Sequence, residues 1–130
     1  MVSNQDESCK TSRWKLLKAQ LNNLDCQHFF KEMEGKANTV IIDVRTAQEF
    51  EENHIDNAIN ISYFDEELWN KVCDLKQYEY FFIYCKTGRR SIRVCTLMKN
   101  GGFDAEKIFN LDGGITALTD SMKRKVNSKD

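Results

Sequence analysis

A chain of 130 residues is long enough for one domain that buries a full apolar core without disulfide or metal staples. Its 19 lysines and arginines against 20 aspartates and glutamates leave a formal net charge of −1, which excludes a whole-molecule field drawing it to nucleic acid or an anionic membrane. Five cysteines, at 9, 26, 73, 85 and 95, give an odd count with no Cys-x-x-Cys pair, so a disulfide framework is disfavoured and a reducing compartment, the cytoplasm, is expected. His28 and His54 stand far apart in sequence and near no cysteine pair, which leaves no zinc spacing. The opening MVSNQDESCKTSRWKLL has no apolar signal core, and no apolar run approaches membrane-spanning length, so no membrane partner is expected.

Residues 1–13 are polar without periodicity and 122–130 repeat that character, so flexible tails are expected on either side of a single domain over 14–121. Trp14, Leu16 and Leu17 mark where the chain is expected to begin touching its core. A short first strand is read near 21–24, and Asp25 then caps a helix that carries Phe29, Phe30 and Met33 and stops at Gly35. The β-branched run at 39–44 predicts a strand buried on both faces. A short helix follows at 46–52, a third strand at 58–61, helical turns between 64 and 76, and a fourth strand at 80–84. The last part reads as a helix over 91–100 ended by Gly101 and Gly102, a fifth strand at 107–110, and a final helix over 115–121 after Gly113 and Gly114. Strands separated by helices predict an α/β fold, a five-stranded parallel sheet with helices on both faces, whose sites lie beyond the carboxyl ends of the strands.

Cys85 stands at such an end. A thiol attacks as thiolate, and its pKa falls at a helix N-terminus or beside cations. The helix after Arg90 aims its free amides and positive dipole end at the loop, and Lys86, Arg89 and Arg90 add local charge. Gly88 permits the curvature by which successive amides converge on one anion, with Thr87 beside it. Ser91 either adds a hydroxyl donor or satisfies the helix's first turn. Cys85 is therefore expected as a nucleophile whose sulfur is held as an anion yet stays exposed to attack. Cys26, Cys73 and Cys95 read as buried small hydrophobes, Cys95 on the stripe of Ile92, Cys95 and Met98, and Cys9 as incidental in the tail.

The segments IIDVRTAQEF (41–50), NHIDNAINI (53–61), YCKTGRRS (84–91), GF (102–103) and NLDGGI (110–115) resemble, in order, the motifs of a single-domain rhodanese over about residues 22–120. The resemblance implies that Cys85 takes a sulfane sulfur from a small sulfur-containing anion such as thiosulfate. It then passes that sulfur to cyanide, a thiol or a protein sulfur acceptor. Lys86, Thr87, Gly88, Arg89, Arg90 and Ser91 would form the substrate-binding loop, and no metal or organic cofactor is required. Asp43 and Arg45 are expected to support that loop structurally, Arg45 by pairing Glu49 or by bracing the loop itself. His54 matches the family's histidine and reads as a packed, hydrogen-bonded side chain. Asn53 and Asn57 stand where the family commonly has glycine, and asparagine tolerates positive φ there. Leu118 stands in the region where it usually has tryptophan.

Rival readings fit less well. A Cys-x5-Arg phosphatase or arsenate reductase needs arginine at the sixth position after the cysteine, and here Arg90 is fifth and Ser91 sixth. Mercaptopyruvate sulfurtransfer goes with Cys-Gly-x-Gly, and Lys86 stands second. A non-catalytic docking module of the same fold often lacks the cysteine, which is present here. Sulfur relay to a partner protein shares the first half-reaction and stays open.

Overall fold

The computed structural model describes Leu16, residues 20–118 and the backbone of residues 126–128. Cys9, Trp14, Leu17 and most of both expected tails lie outside the described residues. Leu16 itself is 57% exposed, and among the described residues the first buried apolar side chain is Leu21.

Strands β1 (Asn22–Leu24), β2 (Thr39–Asp43), β4 (Ile59–Asn60), β5 (Tyr80–Tyr84) and β6 (Ile108–Leu111) form one parallel sheet in the order β1-β6-β5-β2-β4. The interior strands β2 and β5 are covered on both faces, which is why TVIID and YFFIY read as continuous apolar runs instead of alternating ones. Helices α1 (Cys26–Glu34), α2 (Ala47–Glu52), α3 (Leu68–Cys73) and α4 (Arg89–Asn100) supply the crossovers. Asp25 caps α1 by accepting the His28 amide at 2.9 Å, as expected.

Side-chain alternation along β5 sorts the core into two layers. Phe82 and Tyr84 join Phe29, Phe30, Ile41 and Phe109 on the α1 face, where the Phe29 ring meets Phe82 edge-on at 5.4 Å and Phe109 stacks on Phe82 at 4.8 Å. Phe81, Ile83 and Cys85 join Val40, Ile42, Ile92, Cys95 and Met98 on the α4 face. Burying an aromatic such as Phe82 contributes about 2–3 kcal/mol. The same alternation decides where the thiol goes. Cys85 has the parity of Phe81 and Ile83, so its sulfur faces the amino end of α4.

Four elements depart from the sequence reading. Strand β3 (Asn53–Ile55) was not anticipated; it pairs antiparallel with β7 (Val126–Ser128), so part of the expected C-terminal tail is a strand. MKRKVNSKD carries no apolar periodicity to announce it, because the pairing is made by backbone groups along a free strand edge. Helix α4 starts two residues before 91, since Gly88 at φ +100 turns the chain into the helix ahead of its apolar stripe. After Gly113 and Gly114 a 3₁₀ turn over Gly114–Ala117 replaces the start of the expected helix, and residues 119–121 are outside the described residues. Asn57 does adopt positive φ (69°), whereas Asn53 is extended at φ −167°.

Candidate active site at Cys85

The loop from β5 into α4 wraps Cys85 Sγ with three donors. The Gly88 amide reaches it at 3.0 Å, the Ser91 amide at 3.4 Å and the Ser91 hydroxyl at 3.4 Å. Ser91 is the third residue of α4, so its N–H is one of the helix's orphan donors, and here it points at sulfur along the dipole's positive end. The Ser91 hydroxyl also lies 3.2 Å from the Gly88 carbonyl. It has one proton, so it serves either the carbonyl or the sulfur at a given moment.

Cys85 is only 1% exposed, which corrects the expectation of an open sulfur. The parity of β5 turns the side chain inward under the loop, so only a small projecting atom can meet it. Around it Lys86, Thr87 and Arg89 are exposed, Arg90 is half-buried, and Gly88 and Ser91 are buried.

The loop is gripped from behind by a segment that the sequence reading gave as a glycine turn and the start of a last helix. The Ile115 amide donates to the Cys85 carbonyl at 2.9 Å and the Thr116 amide to the Lys86 carbonyl at 3.2 Å. Gly114, at φ +64, lies so close that a Cβ there would collide with the Cys85 and Lys86 carbonyls, and a Cβ on Gly88 would stand 3.2 Å from the Gly113 nitrogen. Nothing local in NLDGGI reports this. It arises because β6 lies beside β5 in the sheet.

A pocket of about 490 Å³ lies elsewhere. It is lined by Lys76, Phe81, Gly101, Phe103 and Lys107, at the amino ends of β5 and β6. Cys85 Sγ is held by the loop from β5 into α4.

A family model described as Rhodanese-like domain matches residues 27–121. The chain belongs to the rhodanese-like domain family. Among its relatives, "Putative sulfurtransferase YtwF" of Bacillus subtilis is 34% identical over 95 residues, covering 73% of this chain and 87% of that protein. "Protein HIGH ARSENIC CONTENT 1, mitochondrial" of Arabidopsis thaliana is 32% identical over 90 residues, 62% of this chain. The match spans 52% of that protein, about half its length. The polysulfide-sulfur transferase homodimer of Wolinella succinogenes shares the rhodanese-like architecture at a TM-score of 0.67 and 20% identity, over 90% of this chain and 86% of that one.

In this rhodanese-like domain Asp43 and Arg45 form a buried pair, 0% and 4% exposed. Arg45 Nε donates to both Asp43 oxygens at 3.0 and 3.1 Å and Nη2 to Oδ2 at 2.7 Å, while the Arg45 amide donates to Oδ1 at 2.9 Å. Nη2 also donates to the Asn53 carbonyl and Nη1 to Asn53 Oδ1 at 3.3 Å. Burial works against the Arg45 charge, but the bond to Asp43, its negative charge and the nearby Tyr84 together outweigh it and hold the guanidinium more firmly protonated than usual. Arg45 does not pair with Glu49 as expected. The expected i,i+4 contact needs both residues on a helix, and α2 begins only at Ala47. Tyr84, opposite Asp43 in the sheet, accepts the Ile55 amide at 3.0 Å through its hydroxyl; burial first, then the Asp43 charge, push its pKa far up.

Glu49 instead closes a capping box with Thr46, whose amide donates to Oε1 at 2.9 Å, and takes Arg90 across the site mouth at 3.3 Å. Burial pushes its carboxyl up, yet the bonds from Thr46 and Arg90 together hold it below the usual range. His54 donates through Nδ1 to the Phe50 carbonyl at 2.8 Å and stacks on the Phe50 ring at 3.9 Å, a packed side chain as expected. Cys26 and Cys95 are buried; burial pushes the Cys95 thiol well up, so it stays protonated. Cys73 is half-buried, more open than expected, because α3 is a single short surface helix.

Proposed function

We propose that this rhodanese-like domain is a sulfurtransferase in which Cys85 carries the transferred sulfur as a persulfide. The observation that carries the reading is the convergence of the Gly88 and Ser91 amides on Cys85 Sγ. Two N–H groups and a helix end aimed at one atom stabilise negative charge there without reorganisation. The groups bonded to Cys85 Sγ are all donors, and none is a base.

The Cys85 thiolate attacks the outer sulfur of thiosulfate or of a related persulfide donor. With thiosulfate a Cys–S bond forms, the S–S bond of the donor breaks, and its electron pair leaves with sulfite. The product is a Cys85 persulfide anion, whose terminal sulfur remains within reach of the loop. In the second step cyanide attacks that sulfur, the persulfide S–S bond breaks, and thiocyanate leaves as the thiolate is restored. A thiolate acceptor, on a small molecule or a protein, reacts in the same way and leaves as a persulfide. Electrons balance in each step, and no redox partner or organic cofactor is needed. Lys86 and Arg89, exposed on the loop on either side of Thr87 and Gly88, draw anionic donors towards it. The buried Asp43–Arg45 pair fixes the ends of β2 and β3 beside the loop. Four described cysteines are free thiols, in keeping with work in a reducing compartment such as the cytoplasm.

The reading is tested by assaying thiocyanate production from thiosulfate and cyanide. The wild-type protein is expected to turn over and the Cys85→Ala protein to give only the uncatalysed background. Equal production by both would overturn it.

A further inference from the structure

The pocket of about 490 Å³ at the amino ends of β5 and β6 lies apart from Cys85. Phe81 lines it, and at the rise of a strand Cys85 stands about 13 Å further along the same run. Two glycines give the pocket its shape. A Cβ on Gly101 would collide with the Trp69 ring, so only glycine lets the chain leave α4 this close to that side chain. Gly102, at φ +106, has nothing within 4 Å of where a Cβ would stand, and the space beside it stays open. The walls are aromatic and fixed. Phe103 meets Phe81 edge-on at 5.2 Å and Trp69 at 6.0 Å, and Phe81 is only 4% exposed.

The polar groups around these walls are committed, with one exception. Lys107 pairs with Glu79 at 3.2 Å, and Asp104 accepts the Glu106 amide at 3.0 Å. The carbonyls of Leu97, Met98 and Lys99 at the end of α4 accept the amides of Gly101, Gly102 and Phe103. Lys76 has no carboxylate partner among the described residues; its ammonium stands 6.0 Å from the centre of the Phe103 ring. A cation held only by the face of a ring, at the rim of an aromatic pocket, is available to an anion whose apolar part fills that pocket.

We propose that this pocket is a second binding site, for a small planar aromatic monocarboxylate. The ligand's ring lies against Phe81 and Phe103, where aromatic edges and faces are on offer, and its carboxylate pairs with Lys76. One uncommitted cation suits one negative charge. The second charge of a phosphate monoester would meet Glu79 and Asp104 on the same lining and no further free cation. The volume falls within the range of about 300–1,000 Å³ common to small-molecule sites. Pocket and thiol lie at opposite ends of β5, so the ligand is not the sulfur donor, and the inference stands apart from the sulfurtransferase reading.

Naphthoate tests it, with naphthamide as an uncharged probe of the same shape. Each is titrated into the full isotopically labelled chain, and N–H chemical shifts are followed by NMR. With naphthoate, saturable shifts are expected at the Gly101, Gly102 and Phe103 amides and at the Trp69 indole N–H, with a Kd of about 1 mM or tighter. Lys76 is exposed, so Lys76→Gln leaves the fold intact. That variant is expected to bind naphthoate about three- to fivefold more weakly, the range of one exposed charge pair, and naphthamide unchanged. No saturable shift with naphthoate, shifts centred on residues away from this pocket, or a naphthoate affinity that Lys76→Gln leaves unchanged or lowers no more than that of naphthamide would overturn the inference.

Discussion

Ser91 shows how much of the site turns on a single proton. Its hydroxyl lies 3.2 Å from the Gly88 carbonyl and 3.4 Å from Cys85 Sγ, and the carbonyl already accepts the Ile92 amide at 3.2 Å. The proton is therefore free to turn to sulfur when sulfur becomes anionic, and the carbonyl keeps a partner. Ser91→Ala is expected to lower kcat/KM for sulfur transfer about tenfold, a loss of ~1.4 kcal/mol, while chemical denaturation shows stability changed by less than about 1 kcal/mol. An unchanged rate would assign the hydroxyl to the carbonyl alone. Glu49 makes a residue-scale prediction about pH. Its carboxyl is held below the usual range in the folded protein, so the stabilisation it gives is present above the unfolded pKa and is lost as pH falls through the lower folded value. Stability measured against pH should fall less steeply on the acid side in Glu49→Gln than in the wild type. Coincident acid limbs would contradict that account.

At the scale of elements, the site is a product of two strand ends and the loops that leave them. Strand β5, the loop and α4 were legible in the sequence because YFFIY is a continuous β-forming run and Gly88 marks the turn before an apolar stripe. The grip of Gly113 and Gly114 on the loop was not, since it depends on β6 lying beside β5 across more than twenty residues of chain. Arg45 was read as pairing Glu49 or bracing the loop, and its partners are Asp43 and Asn53. The spacing to Glu49 mimics a helical pair, whereas the chain at Arg45 has not yet entered α2, and Asp43 two residues away offers two oxygens in an interior that demands a counter-charge. That burial sets the size of the next effect. Arg45→Met strands the Asp43 carboxylate and is expected to cost about 3–5 kcal/mol in urea unfolding, whereas adding Asp43→Leu should recover much of the loss. A cost below about 1 kcal/mol for the single substitution would mean that water reaches Asp43.

For the molecule as a whole, the parallel sheet does more than support the loop. Its two apolar layers meet on β5, and the alternation that sends Phe82 and Tyr84 to one layer sends Ile83 and Cys85 to the other, so fold and site share one parity. Strands β2, β5 and β6 could be read in advance because TVIID, YFFIY and IFNL carry β-formers, whereas β1 (NNL) and β4 (IN) are short and are marked more by their place between helices than by their own residues. The pairing of β3 with β7 could not be read in advance, because no side-chain pattern marks it. The central claim is that this parity delivers a thiol to a cradle of amides where it carries sulfur. The most direct measurement is the intact mass of the reduced, folded protein after incubation with thiosulfate, beside Cys85→Ala, and again after cyanide. A gain of one sulfur atom that requires Cys85 and disappears with cyanide is the predicted result; a folded wild-type protein that gains no sulfur, or that gains it equally without Cys85, would contradict the account.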